Sequence, residues 1–403
     1  MQHGSCPKIL VSFGTRPEAI KMFPVVHALK ADGAFDTRVV VTAQHREMLD
    51  QVLQMTEIVP DVDLDLMQEG QSLDALSSRI ITRFGSVLDV ERPDRVLVHG
   101  DTLTAMMVSL ACYFRKIPVG HVEAGLRSGN IYSPWPEELN RKVTAIIADL
   151  HFAPTQRARQ ALLAETIADE NIFVTGNTVV DALLETRRHV IANPALASAI
   201  EPLLKRFEGK RIVAVTAHRR ENFGEGLTAI AKALAKLAQR DDIAIIFPVH
   251  PNPAVRKAMR PLLEGIHNIA LIEPLDYPNF VRMLDASELI LTDSGGIQEE
   301  APSFQTPVLI MRETTERPEA IEAGTARLVG TSEAAILAAA NQLLDNKHDF
   351  EAMASKVNPF GDGTAAQKIV GILRERHLPQ VGSSRVRVDA TPQVNLTFRT
   401  SAA

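Results

Sequence analysis

Short runs of β-branched and other apolar residues recur along this chain, each ending in a polar or glycine turn and leading into a helical stretch. "KILVSFGTR" leads into "PEAIKMFPVVHALKADG", "TRVVVTAQH" into "REMLDQVLQM", and "DRVLVHGDT" into "LTAMMVSLACYFRK", with "IPVGHVEAG" next. The same alternation restarts at "RIVAVTAHR", "IAIIFPVHP" and "LILTDSGG". Continuous apolar strands alternating with helices predict parallel sheets buried on both faces. The expected class is α/β, with two doubly wound domains. The pattern divides into residues 7–176, residues 177–360, a late helix over 361–379 that returns to the first domain, and a loose tail over 380–403. Open α/β sheets bind ligands outside the carboxyl ends of their strands, so two facing domains define a cleft.

A length of 403 residues fits two cores better than one. With 45% hydrophobic and 23% charged residues the chain is of globular composition. A formal net charge of −6 offers no general attraction to nucleic acid or to an acidic membrane. An anionic ligand would need locally placed Arg, Lys or backbone N–H groups. Cys6 and Cys112 stand far apart, without metal-ligand or disulfide spacing, which suits a reducing cytoplasm. The opening "MQHGSCPKILVSFG" reads as a first strand rather than a signal peptide. No stretch reaches the roughly 20 apolar residues of a membrane span.

The chemistry-bearing residues gather at predicted strand ends. In "SFGTRPEAIK", a Gly turn and Pro17 at a first helical position would aim helix N–H groups at an anion, with Arg16 and Lys21 adding charge. In "TDSGGIQEEAPS", Ser294, Gly295 and Gly296 open a helix where a phosphate could approach the backbone, and Glu300 could accept from ribose hydroxyls. Arg317 of "RETTERPEA" is an anion contact or a surface charge. Neither the Walker pattern nor the three-glycine dinucleotide fingerprint is present, which disfavours ATP and NAD as cofactors.

Four acids and a histidine complete the set. Asp101, before Thr102, reads well as a helix N-cap. Glu123 fits that reading poorly, because "AGL" begins no obvious helix. Glu137 and Glu138 follow Pro136 as favourable charges in a helix's first turn. His218, at a strand end beside Arg219 and Arg220, has charged neighbours able to move its titration across neutral pH. His121 and His250 read as structural. No HExxH spacing, nucleophile elbow or Ser-His-Asp order occurs, so no metal site is expected.

Taken in order, "FGTRPEAIKM", "TAQHREMLDQVL", "VHGDT", "GHVEAGLRSG", "YSPWPEELNR", "TGNTVVDALL", "HRREN", "LTDSGGIQEEAPS" and "TTERPEA" resemble the non-hydrolysing UDP-N-acetylglucosamine 2-epimerases, from about residue 8 to 375. The resemblance implies two Rossmann-like domains of the glycosyltransferase-B type and a homodimer. It also implies reversible conversion of UDP-GlcNAc to UDP-ManNAc without metal or NAD, through elimination of UDP to 2-acetamidoglucal and re-addition. By motif, Arg16, Lys21, Ser294, Gly295, Gly296, Glu300 and Arg317 would hold UDP, and Phe280 would line the uracil pocket. Asp101, Glu123, Glu137 and His218 would surround the sugar, with Arg141 close by and His218 protonated. Leu275 stands where some members carry Gln. Some members also have a second UDP-GlcNAc site that uses polar residues after "TAQH" and an Arg in the next loop. Here Gln44 and His45 remain, but Glu47 follows, and "MQEGQS" has no Arg. The competing readings are a hydrolysing epimerase, a UDP-sugar glycosyltransferase of the same fold, and a non-catalytic UDP-sugar sensor. Among the acids, Glu123 and Glu137 are the expected proton carriers, and Glu138 a helix-start charge.

Overall fold

The computed structural model describes residues 6–43, 46–67 and 70–378, with the side chains of 46–48 outside that set. Gln44, His45, the side chain of Glu47, part of "MQEGQS" and the 380–403 tail lie outside the described residues. The first half alternates β1 (Lys8–Phe13), α1 (Arg16–Asp32), β2 (Asp36–Val41), α2 (Arg46–Met55), β3 (Val62–Asp63), α3 (Leu73–Glu91), β4 (Arg95–His99), α4 (Leu103–Tyr113), β5 (Val119–Val122), α5 (Glu137–Ile147), β6 (Leu150–Ala153), α6 (Gln156–Ala164) and β7 (Ile172–Val174). After α7 (Thr178–Ala192) and α8 (Glu201–Arg206) come β8 (Arg211–Thr216), α9 (Glu225–Leu237), β9 (Ile243–Pro248), α10 (Pro253–Leu263), β10 (Ile269–Ile272), α11 (Tyr277–Asp285) and β11 (Ser287–Thr292). The chain finishes with α12 (Gly295–Glu300), β12 (Val308–Ile310), α13 (Pro318–Glu322), β13 (Ala326–Leu328), α14 (Glu333–Asp345), α15 (Lys347–Ala354) and α16 (Ala365–His377).

All strand pairs are parallel, in two sheets ordered β3-β2-β1-β4-β5-β6-β7 and β10-β9-β8-β11-β12-β13. Both faces of each sheet are covered, which is why the strands read as unbroken apolar runs rather than alternating ones. In β1, Ile9, Val11 and Phe13 enter one core and Leu10 the opposite one. Each such buried side chain contributes roughly 1.5–3 kcal/mol. Strand order reverses between β1 and β4 in the first sheet and between β8 and β11 in the second. Those two switch points are where a doubly wound sheet opens a crevice for ligand. Gly14 is required at the first of them: a Cβ there would stand 2.0 Å from Thr42 Oγ1 and 2.7 Å from Thr104 Oγ1.

The chain crosses between the domains twice. Helix α7 serves both cores, sending Ala182 into the first and Val179, Val180 and Val190 into the second. Helix α16 returns to the first domain, where Ala366, Ile369, Val370 and Leu373 join the core around Phe23 and Leu29. Among the described residues no helix is long and apolar enough to cross a membrane.

Candidate active site

Lys21, two turns into α1, forms an ion pair with Glu123, which directly follows β5. His99 ends β4 and places Nε2 2.8 Å from the same Glu123 oxygen. Glu123 has φ 61°, a left-handed conformation that costs a non-glycine residue roughly 1–3 kcal/mol. Burial opposes its charge, but Lys21 and His99 outweigh burial and hold its pKa well below the ordinary carboxylate value. The same partnership, with help from Glu299, raises Lys21 against the effect of burial. The pair is therefore fully charged, an ionised carboxylate in a dry setting.

Asp101 departs from the expected N-cap role. Thr102 caps α4 instead, its Oγ1 accepting from Ala105 N–H at 3.0 Å. A cap needs its oxygen near the N2 or N3 amide, and Thr102 stands one residue closer. Asp101 is left to accept from Arg141 Nη2 at 2.6 Å, which joins two of the candidate residues. The neighbouring acids Glu137 and Glu138 also part company. Glu138 is fully buried and accepts from the backbone N–H groups of Ser128 at 3.1 Å and Gly129 at 3.2 Å. It braces the end of "EAGLRSG" rather than serving as a solvated helix-start charge. Glu137 makes no such bond, and its Oε2 is buried without a donor among the described residues.

The start of α1 uses several of its donors within the protein. Thr15 caps the helix, Arg16 is its first residue and Pro17 its second. Glu18 closes a capping box and accepts from Gly14 N–H at 3.0 Å, Thr15 N–H at 2.8 Å and Thr102 Oγ1 at 2.6 Å. Those donors are spent inside the protein, and the carboxylate ties the β1–α1 loop to the loop bearing Asp101. Arg16 borders a cavity of ≈ 900 Å³ that runs between the domains past Tyr277 to His27 and His189.

On the second domain, Asp293 directly follows β11, fully buried, and organises the loop after β8. It accepts from His218 N–H and Arg219 N–H, both at 2.9 Å, and from Asn222 Nδ2 at 3.0 Å. The His218 ring stacks on His250 with centroids 5.5 Å apart, so His250, expected as structural, stands beside a candidate site residue. His121 is structural as expected, buried with Nε2 2.7 Å from Gly100 O. Burial lowers the His218 pKa below its ordinary value; Asp293 opposes this, while Arg219, His250 and Arg312 reinforce it. In the ligand-free protein this balance favours the neutral imidazole of His218.

Ser294, Gly295 and Gly296 open α12. A Cβ placed on Gly295 would lie 3.5 Å from Arg219 Nη2 and 4.0 Å from Arg317 Cζ, so two guanidinium groups converge over this glycine. Arg317 is paired with Glu299, and Glu299 and Glu123 raise its pKa against burial. One step further, Glu300 accepts from the Tyr277 hydroxyl at 3.0 Å, and burial pushes the Glu300 carboxyl up to about 7. Leu275 and Phe280 pack on the second core beside Ile272, forming an apolar border.

The fold therefore brings Lys21 and Glu123 into one contact and Asp101 and Arg141 into another. It gathers Ser294, Gly295, Gly296 and Arg317 into a third group, within electrostatic reach of Lys21 and Glu123 across the cleft. Glu137 and His218 make no direct hydrogen bond to these groups among the described residues. Sequence reading passed over His99, Glu18, Asp293, Tyr277 and Glu299. The T-x-x-E capping box at Thr15–Glu18 and the strand-terminal acid of "LTDSGG" were the available signals. Among the described residues no group of three or more His, Cys, Asp or Glu is placed to hold a metal ion.

Comparisons with known proteins agree with this geometry. The family model described as UDP-N-acetylglucosamine 2-epimerase matches residues 27–374. A probable UDP-N-acetylglucosamine 2-epimerase of Ralstonia nicotianae is 56% identical over 364 residues, covering 90% of this chain and 97% of the relative. The UDP-N-acetylglucosamine 2-epimerase of Salmonella typhimurium is 52% identical over 371 residues, covering 91% and 98%. The crystal structure of the UDP-GlcNAc 2-epimerase from Neisseria meningitidis bound to UDP-GlcNAc superimposes with a TM-score of 0.83 at 46% identity, covering 91% of this chain and all of that one. The two facing Rossmann-like domains form the glycosyltransferase-B type of fold. With a model match over most of its length, relatives more than half identical and a shared two-domain architecture, this chain belongs to the UDP-N-acetylglucosamine 2-epimerase family.

Proposed function

We propose that the protein interconverts UDP-GlcNAc and UDP-ManNAc by non-hydrolytic elimination and re-addition at the interdomain cleft. The observation that carries this reading is the opposition of two charge arrangements. An ionised carboxylate, Glu123, lies within electrostatic reach of Arg317, whose guanidinium converges with that of Arg219 over Gly295. The guanidinium groups suit a diphosphate, and the carboxylates suit a sugar proton. Glu300, with Tyr277, accepts from the ribose, and Leu275 and Phe280 border the uracil.

The C2 proton of the sugar has no adjacent carbonyl, so it leaves only as the C1–O bond to UDP breaks and positive charge builds at C1. A carboxylate takes the C2 proton, UDP departs with the bonding electron pair, and C1 and C2 become doubly bonded. Return of a proton to the opposite face of C2 and of the UDP oxygen to C1 completes inversion. Glu123 and Glu137 are the proton carriers in this scheme, and Asp101 and Arg141 position the sugar. Arg219, Arg317 and Lys21 stabilise the departing diphosphate, as preorganised donors do for developing charge. The dianion also raises the neutral His218 toward its protonated form.

Proton NMR of UDP-GlcNAc in D₂O, with no metal, NAD or acceptor added, tests the scheme. UDP-ManNAc carrying deuterium at C2 is the expected product. Accumulation of free ManNAc and UDP would assign a hydrolysing enzyme. An unchanged sugar in a protein that binds UDP would leave a transferase or a sensor.

We also propose that the chain is a homodimer joined through the outer face of α3, α4 and α5. Helix α4 packs between α3 and α5. The lower part of this layer exposes Val90, Tyr113, Phe114 and Ile146, the last 79% exposed, and its upper end adds Trp135 and Leu139. Apolar groups gathered on one helical layer mark an interaction surface. Light scattering should give twice the 44.1 kDa chain mass. The double variant Phe114→Glu/Ile146→Glu should give the single-chain mass with unchanged circular dichroism, and a dimer in that variant would move the interface elsewhere.

A further inference from the structure

Glu299 is a buried acid that the scheme above does not use, and it makes three connections. One carboxylate oxygen accepts from Arg317 Nε, and the other accepts from Asn177 Nδ2 at 2.9 Å. Its carbonyl accepts from Asn358 Nδ2 at 2.8 Å. Asn177 and Asn358 stand on the two segments by which the chain passes between the domains. Those segments are fastened to each other there. Asn177 N–H donates to Phe360 O at 2.6 Å. Gly176 and Gly361 meet backbone to backbone, so that a Cβ on Gly176 would come within 3.2 Å of Phe360 O and 3.3 Å of Gly361 Cα. Both glycines have positive φ, 91° and 133°, which reinforces the exclusion of any side chain. Beside this clasp, Asp181 accepts from Ala365 N–H at 3.2 Å and Ala366 N–H at 2.8 Å, holding the start of the returning helix α16.

From this chain of contacts we propose that Glu299 is a positioning residue that couples occupation of the diphosphate site to the interdomain clasp. The inference rests on the reading of Arg317 as a diphosphate contact. Glu299 holds the Nε edge of the guanidinium and Glu316 O accepts from Nη1 at 3.3 Å, which fixes the plane of the fork and leaves Nη2 and the second Nη1 hydrogen for the ligand. A shift of Arg317 onto a diphosphate must be followed by the carboxylate it is bonded to. Because the second oxygen of that carboxylate is bonded to Asn177, the displacement reaches the point where the two crossings are fastened. Hinges of this kind are a few element-terminal residues that absorb the change in backbone angle on closure. Asn177 is such a residue, the N-cap of α7.

Hydrogen exchange of the backbone amides in residues 174–180 and 358–366, with and without saturating UDP, tests the coupling. In the wild-type protein UDP should slow exchange in both segments by about fivefold or more. Asn177→Ser keeps an N-cap oxygen and the backbone bond to Phe360 but removes the amide that reaches Glu299. This variant should bind UDP within about threefold of wild type by calorimetry while its clasp protection on UDP binding falls below about twofold. Glu299→Gln offers one acceptor oxygen to two donors, so one link must break, and the same loss of protection is expected. Wild-type protection in both variants, or no UDP-dependent change in a wild-type protein that binds UDP, would overturn the coupling. Failure of wild-type protein to bind UDP at all would overturn the reading of the diphosphate site, and the coupling with it.

Discussion

Glu137→Gln should lower epimerisation by roughly 10²–10⁴-fold while leaving UDP affinity within about threefold, since a positioned acid–base group typically contributes that much. The reason lies in what Glu137 lacks. Its neighbour Glu138 has both oxygens taken by backbone donors, whereas Glu137 keeps a buried oxygen with no donor among the described residues. An unsatisfied buried acceptor costs roughly 1–3 kcal/mol, a cost that a substrate hydrogen can remove. Glu123→Gln should be as damaging to turnover but different in kind. It removes the charge that pairs with Lys21 and lies beside His99, so it should also change the pH dependence of kcat. Rates by NMR and UDP binding by calorimetry measure both variants. Near-wild-type turnover in Glu137→Gln and Glu123→Gln would remove the assignment of these two acids.

The second large effect concerns stability. Glu300 is buried beside Tyr277 with its pKa pushed up to about 7 from an ordinary 4.5. A carboxyl raised on folding favours the native state fully below the unfolded value and loses that contribution as pH rises through the folded value. The wild-type protein should therefore lose stability between about pH 4.5 and 7 through this group, by at most roughly 3 kcal/mol. Glu300→Gln keeps an acceptor for the Tyr277 hydroxyl and carries no charge to bury. It should match wild type at about pH 4 and exceed it at about pH 8 by up to that amount, read as denaturant midpoints. The same variant should bind UDP more weakly at pH 8, because an amide is a poorer acceptor for two ribose hydroxyls. A stability gap independent of pH would show that Glu300 does not titrate in this range. The site thus holds an ionisable group at a cost to the fold, a trade frequent in binding sites.

The sequence made the strands legible because both sheets are parallel and covered, so each strand is a continuous apolar run with no exposed face to blur it. The residues closing those runs were legible for the same reason. "FGTR" and "VHGD" flank one switch point, and "TAHR" and "TDSGG" flank the other. Less could be read where the outcome depends on a rotation or a distant partner. Glu137 and Glu138 are chemically identical neighbours, and only the 100° between successive helix positions sends one into a loop and leaves the other unpaired. Asp101 and Thr102 could both cap α4, and the start of the helix at Leu103 gives the cap to Thr102 and leaves Asp101 to pair with Arg141. Glu18 was passed over because its last partner, Thr102, lies far along the chain. Glu299 could not be separated from Glu300 by pattern, since its partners Asn177 and Arg317 lie outside its own motif.

The return of α16 to the first domain has a consequence for how the chain matures. The core begun by Ile9, Val11 and Phe13 is completed by Ala366, Ile369, Val370 and Leu373, the last large apolar group of the described chain to be synthesised. The second domain, whose strands lie between these segments, can assemble its sheet on the ribosome while the first still exposes the face that α16 will cover. Domains fold largely as units during synthesis. The domain that emerges first is therefore the one finished last, and until release it is a natural client for chaperones that hold exposed apolar surface.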